Sequence, residues 1–203
     1  MTNWMKMTCL ALGAGMAFAP VANAEKEAPA AGAAATATVR PGTVVEIKPH
    51  RIYLMDVEKA GERLVAVGER GFVLVSDDAG KTWKAVGTPV VRTLTGVAFN
   101  GDQLGVAVGH GGSLVRTEDG GSTWVEVPMD EAYGESLLGV TALGDGKFAA
   151  YGAFGQYFDT LDGGKSWTKR TIISEEFENH ISQVVSVNGT LWMVTEYGTI
   201  ARC

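Results

Sequence analysis

The chain has 203 residues, 46% of them hydrophobic and 20% charged, and its 23 acidic side chains against 17 basic ones give a formal net charge of −6. Such a composition excludes disordered, collagen-like and disulfide-scaffold chains and points to one globular domain. The acidic excess argues against a general nucleic-acid or anionic-membrane surface.

Residues 1–24 carry one positive charge at Lys6, an apolar stretch from Met7 to Val21 and the small-residue ending Ala22, Asn23, Ala24. These are the three parts of a secretory signal peptide. The apolar stretch is interrupted by Gly and Pro and is short for a span that needs about 20 residues, so no retained transmembrane segment is expected. Cleavage would start the mature chain at Glu25, remove Cys9 and leave Cys203 with no internal disulfide, so that it could pair only with another chain. Residues 25–40 are Ala-rich with Val39 as the one large hydrophobe, which predicts a disordered tether.

From residue 41 onward one local sequence returns three times, at 76–83, 117–124 and 160–167. It reads [ST]-x-D-x-G-x-[ST]-W and places Asp78, Gly80 and Trp83, then Asp119, Gly121 and Trp124, then Asp162, Gly164 and Trp167, at spacings of 41 and 43. A period in this range is the mark of a repeat architecture. Each box is preceded by a Gly-containing stretch, as at 68–75, 109–116 and 152–159, and a fourth such stretch starts at Thr195. Further upstream in each unit, two strand-like runs flank a tight turn, as at Asn100-Gly101 and Asn188-Gly189, which predicts antiparallel hairpins.

Four short strands per unit describe a propeller blade. The fold expected is therefore all-β: a small β-propeller of four four-stranded antiparallel blades over residues 41–203. Three units have the outer Trp-bearing strand and the fourth does not. Residues 43–47 align with that missing strand, so an N-terminal strand would complete the last blade and close the ring. In the box itself, Gly supplies a positive φ, Asp accepts turn hydrogen bonds and Trp packs between blades, which is a structural role for all nine residues.

The boxes resemble the Asp-box (BNR) repeats of sialidases. In the full unit Gly-x-x-Gly-x-[hydrophobic]-x-x-[ST]-x-Asp-x-Gly-x-[ST]-Trp, the chain is more closely similar to the Ycf48-like photosystem II assembly and stability factor family. That resemblance implies a lumenal or periplasmic propeller without catalytic activity that binds a protein or peptide and assists assembly of a membrane complex, photosystem II where the host is photosynthetic. The family's photosynthetic members are larger rings, and no family arginine patch can be carried over residue by residue.

The residues themselves offer little chemistry. A sialidase needs an arginine cluster, a Tyr nucleophile and an acid on a six-blade ring, and this chain lacks the blades to hold them. Gly80-Lys81-Thr82 and Gly164-Lys165-Ser166 suggest phosphate loops, but Val75 and Asp159 stand where the earlier Gly is required. His50, His110 and His180 lack metal-ligand spacing. No catalytic, metal or cofactor site is therefore assigned. Arg70, His110, Phe154 and Tyr197 are read as occupying the variable slot before the matched Gly in the inter-strand turns, an equivalent placement that would put four different side chains at one end of the ring, and are the partner-binding candidates. The expected function is an exported, non-enzymatic propeller that binds a protein or peptide of the cell envelope, with self-association left open; the alternative is a sialidase-like glycan-binding module or glycosidase relative.

Overall fold

The computed structural model describes residues 10–12, 52–174 and 176–203. Among the described residues, sixteen strands form four four-stranded antiparallel sheets. The first strand, β1 (Leu10–Leu12), belongs to the last sheet. Sheet 1 is β2 (Leu54–Ala60), β3 (Arg63–Gly68), β4 (Val73–Ser76) and β5 (Lys84–Val86). Sheet 2 is β6 (Leu94–Asn100), β7 (Leu104–Gly109), β8 (Leu114–Thr117) and β9 (Val125–Glu126). Sheet 3 is β10 (Leu137–Gly144), β11 (Lys147–Gly152), β12 (Tyr157–Thr160) and β13 (Thr168–Lys169). Sheet 4 is β14 (Ile181–Val187), β15 (Thr190–Thr195), β16 (Ile200–Arg202) and, on its outer edge, β1.

Local sequence accounts for these meanders. Between β14 and β15 the turn consists of Asn188 (φ 52°) and Gly189 (φ 77°), two left-handed residues that match the right-handed twist of the strands they join. All four inner strands begin with the same register shift, at Leu54/Asp56, Leu94/Gly96, Leu137/Gly139 and Ile181/Gln183. A bulge recurring at one place bends every blade alike.

The core lies between neighbouring sheets. Val65, Val67 and Val73 on the trailing face of sheet 1 meet Leu94, Val97 and Phe99 on the leading face of sheet 2. Val106, Val108 and Leu114 meet Leu137, Val140 and Phe148 in the next gap. In the third, Ala149, Tyr151 and Tyr157 meet Ile181, Val184 and Met193. Polar bonds tie the same gaps: Val97 N donates to Asp56 Oδ2 at 2.9 Å, Thr95 Oγ1 to Leu137 O at 2.8 Å, and Thr141 Oγ1 to Val184 O at 2.6 Å.

The four-blade count stands, as does completion of the last blade by an N-terminal strand. Two details of the expected closure are corrected. The strand on β16 is β1, paired Leu10↔Arg202 to Leu12↔Ile200, and residues 43–47 lie outside the described residues. Any short extended segment can satisfy the open row of N–H and C=O groups on β16, so alignment of side chains did not select the occupant. The blades also form an arc and do not close on themselves. Val57 on the leading face of sheet 1 is 54% exposed, whereas its counterparts Val97, Val140 and Val184 are 2%, 7% and 1% exposed. Side chains as large as Phe148, Tyr151 and Tyr157 fill the gaps, which opposes the tight curvature of a four-blade ring.

In the full chain Cys203 is disulfide-bonded, whereas the expectation of no internal disulfide is for the chain without residues 1–24. The chain's other cysteine, Cys9, lies outside the described residues.

Candidate partner-binding rim

The turn between the second and third strands of each blade is one turn of 3₁₀ helix: Glu69–Gly71, His110–Gly112, Ala153–Gly155 and Glu196–Gly198. The first residue of each donates its N–H to the residue that leads into the inner strand: Glu69 to Tyr53 O, His110 to Thr93 O, Ala153 to Ser136 O and Glu196 to His180 O, at 2.9–3.2 Å. Four equivalent turns are thereby fixed at one end of the blades.

The middle residue of every turn is left-handed: Arg70 (φ 59°), Gly111 (φ 66°), Phe154 (φ 51°) and Tyr197 (φ 59°). A left-handed conformation is unusual for side chains as bulky as Phe and Tyr. In the turns of sheets 1 and 3 the glycine after it is required by close backbone approach. A Cβ at Gly71 would lie 2.0 Å from Val90 O, and one at Gly155 would lie 2.2 Å from Phe177 O.

Arg70, Phe154 and Tyr197 are exposed, Tyr197 at 88%. His110 is exposed on the same turn of sheet 2 but one residue earlier than the other three; the matching slot there is Gly111. Its Nδ1 lies 3.0 Å from Ser136 Oγ. Phe154 stacks edge-on against His180, with ring centroids 4.9 Å apart, and its N–H donates to His180 Nδ1 at 3.1 Å. His180 N–H in turn donates to Glu196 Oε1 at 2.7 Å, which ties the sheet 3 turn to that of sheet 4. His50 lies outside the described residues.

Two further exposed aromatics stand at this end. Tyr53 immediately precedes β2, and Tyr133 is a left-handed residue in the connection to β10, with Lys169 Nζ 5.4 Å from its ring centre. Between the turns are two shallow depressions. One, of about 540 Å³, includes Arg92, Gly111, Glu126 and Asp130; the other, of about 310 Å³, includes Phe154, Arg170, Phe177 and Glu178. Mixed charge, exposed aromatic rings and shallow relief suit a polypeptide chain better than a small molecule.

The opposite end carries the Asp boxes. Asp78 accepts from Ser76 Oγ and Thr82 N at 2.8 Å and from Thr82 Oγ1 at 2.6 Å, while Trp83 Nε1 donates to Gly80 O at 3.1 Å. Asp119 with Thr117 and Thr123, and Asp162 with Thr160 and Ser166, repeat the pattern. The Thr82 side chain and backbone hold the Asp78 carboxyl down at about 2. At Asp162 partial burial pushes upward, but the bonds from Ser166 and Thr160 outweigh it and the result is again about 2. Each carboxylate is occupied within its own turn. Among the described residues, no group of three or more His, Cys, Asp or Glu could hold a metal ion.

Arginines join neighbouring blades at this end. Arg63 donates through Nη1 to Gly120 O at 3.1 Å and to Ser122 Oγ at 2.7 Å, and the buried Arg116 donates through Nε to Gly163 O.

Four-stranded blades in series, with the turn between third and fourth strands fastened by an Asp box in sheets 1, 2 and 3, define an Asp-box β-propeller arc. The chain belongs to the family described as photosynthesis system II assembly factor YCF48, whose model matches residues 35–155. Among solved structures, the chain is similar to "YCF48 bound to D1 peptide", with 23% identity and a TM-score of 0.61 over 78% of this chain and 51% of that one. It is also similar to YCF48 from Cyanidioschyzon merolae, with 24% identity and a TM-score of 0.60 over 78% of this chain and 55% of that one. The chain thus spans about half the length of these structures. No curated protein matches it.

Proposed function

We propose that this chain is an exported, non-catalytic propeller that binds a protein or peptide segment on the rim of inter-strand turns and serves as an assembly or stability factor for a membrane complex. The observation that carries this reading is the set of four equivalent turns, each stiffly hydrogen-bonded, that present different exposed side chains at one end. A rigid scaffold with variable side chains loses little conformational entropy on binding. Family membership supports the assembly role, and the relative solved with a D1 peptide supports a peptide as ligand. Export rests on the charge, apolar stretch and small-residue ending of residues 1–24, and cleavage there takes β1 from the edge of β16, so the mature chain must complete its last blade with another segment or leave that edge open. No helix among the described residues is long and apolar enough to cross a membrane.

The test is titration of a labelled D1 peptide, together with affinity capture from the host's envelope fraction, using the protein and its Arg70→Ala, His110→Ala, Phe154→Ala, Tyr197→Ala quadruple variant. Loss of the three large rim side chains and His110 should weaken binding about tenfold or more. Equal capture and equal affinity for the two proteins would exclude the rim.

A further inference from the structure

Two gaps of the rim, between sheets 2 and 3 and between sheets 3 and 4, are each bridged by a histidine, and the two bridges differ in the charge state they tolerate. In the first, His110 Nδ1 lies 3.0 Å from Ser136 Oγ. A hydroxyl donates to a neutral ring nitrogen and accepts from a protonated one, so this contact survives either state. In the second, His180 Nδ1 accepts the Phe154 N–H at 3.1 Å. A backbone N–H only donates, so this contact exists only while Nδ1 carries no proton.

Phe154 is exposed, stacks on the His180 ring and lines the depression of about 310 Å³ together with Phe177. Among the described residues, the middle residues of the other three turns, Arg70, Gly111 and Tyr197, hold the same left-handed backbone without a side-chain acceptor. The bond to His180 is therefore not what makes the turn; it fixes the turn's aromatic residue against sheet 4. His180 is itself clamped at its backbone, its N–H donating to Glu196 Oε1 at 2.7 Å and its carbonyl accepting the Glu196 N–H at 3.2 Å. The same Oε1 lies 3.5 Å from His180 Nδ1 and is the acceptor within reach of a protonated ring. The other charged groups around this corner are Glu178, two residues before His180, and Lys169 and Arg170 in the depression, where Arg170 is bonded to Asp159 at 3.0 Å.

We propose that His180 is a positioning residue of the rim, which holds Phe154 while neutral and lets it go when protonated, so that a peptide on the rim is held near neutral pH and released in acid. A proton on Nδ1 sets two donors against each other; the ring turns its new N–H toward Glu196 Oε1, and the Phe154 N–H is left to water. An aromatic ring does not repel a cation, so the amide and not the stacking is what protonation breaks. The adjacent bond from Gly155 N–H to Asn179 O, at 3.0 Å, is untouched and keeps the release local. A loosened Phe154 must be ordered again by the ligand, which weakens binding. Histidine changes charge between about pH 5 and 8. Asp78 and Asp162, which titrate near 2, stay ionised throughout that range, so the Asp-box turns are not disturbed with it. The effect on binding rests on the rim being the binding surface; the exchange of hydrogen bonds does not.

Nuclear magnetic resonance of the full chain between pH 8 and pH 5 tests the proposal. The Phe154 amide should shift with the same midpoint as the His180 ring and lose its protection from exchange in acid. His180→Asn places a carbonyl oxygen where Nδ1 stands and does not titrate, so its Phe154 amide should stay in place over the whole range. Affinity for a labelled D1 peptide should fall between pH 7.5 and 5.5 by about three- to tenfold more in the unsubstituted chain than in His180→Asn, which accounts for groups that titrate on the peptide itself. A Phe154 amide that ignores the His180 ring, or a His180→Asn chain that keeps the original pH dependence of amide or affinity, would overturn the proposal. A chain that binds no peptide at pH 7.5 yet moves its Phe154 amide with His180 would overturn the rim as binding surface and uphold the exchange of hydrogen bonds.

Discussion

Asp119 accepts hydrogen bonds from Thr117 Oγ1, Thr123 N and Thr123 Oγ1 within eight residues of chain. Asp119→Ala leaves those donors to water or unpaired and should lower stability by about 1–3 kcal/mol, read from urea unfolding. The acid limb of stability follows from the same turns. Asp78 and Asp162 titrate near 2 in the folded chain, against an ordinary 3.8. A carboxyl whose folded value is depressed contributes stability that is complete above its unfolded value. Unfolding free energy should therefore hold down to about pH 4, fall between pH 4 and 2, and fall less steeply in Asp162→Asn. A slope unchanged by that substitution would remove Asp162 from the account. At this scale the sequence is legible where residues recur: Asp, Gly and Trp announce the box because every unit makes the same turn. Tyr53 and Tyr133 left no such signal, since they lie outside the matched stretches. In His110-Gly111-Gly112 the run of glycines hides which residue takes the left-handed slot: the sequence points to His110, and the slot belongs to Gly111.

Blades are held to one another by arginines as well as by apolar contact. Arg116, buried, supports the carbonyl of Gly163 on the following blade. Arg116→Leu keeps much of the apolar stem but leaves that carbonyl unpaired, which should cost about 1–3 kcal/mol in thermal or urea unfolding. The strand on β16 can be examined separately. Pairing with β1 predicts that deleting residues 41–50 from the full chain leaves the amide protection of β16 unchanged, whereas removing residues 1–24 as well exposes it to rapid hydrogen exchange. Loss of protection on the first deletion alone would return the closing role to residues 43–47. Strand number, hairpins and meander order were readable from turn residues and alternation, because those are local. Which N-terminal segment pairs with β16 depends on backbone groups that look alike in every residue.

The arc as a whole is a linear stack in which each blade touches only its neighbours, so stability should vary along it. Sheets 2 and 3 are covered on both faces and sheets 1 and 4 on one. Hydrogen exchange should be slowest in β7, β8, β11 and β12 and fastest in sheet 4; uniform protection would mean that the arc unfolds as one unit. Residues 43–47, aligned with the missing outer strand, point to a closed ring, but curvature is set by the volume of side chains between blades, which repeat alignment alone does not reveal. The Asp boxes have a consequence for the gene. Since the three boxes share one backbone course and one set of bonds, an unequal crossover within any two of them would remove or add a whole blade and leave the joint chemically intact. By that route the chain would lengthen or shorten in steps of 41 or 43 residues, the spacings between Asp78, Asp119 and Asp162, with each product still able to stack.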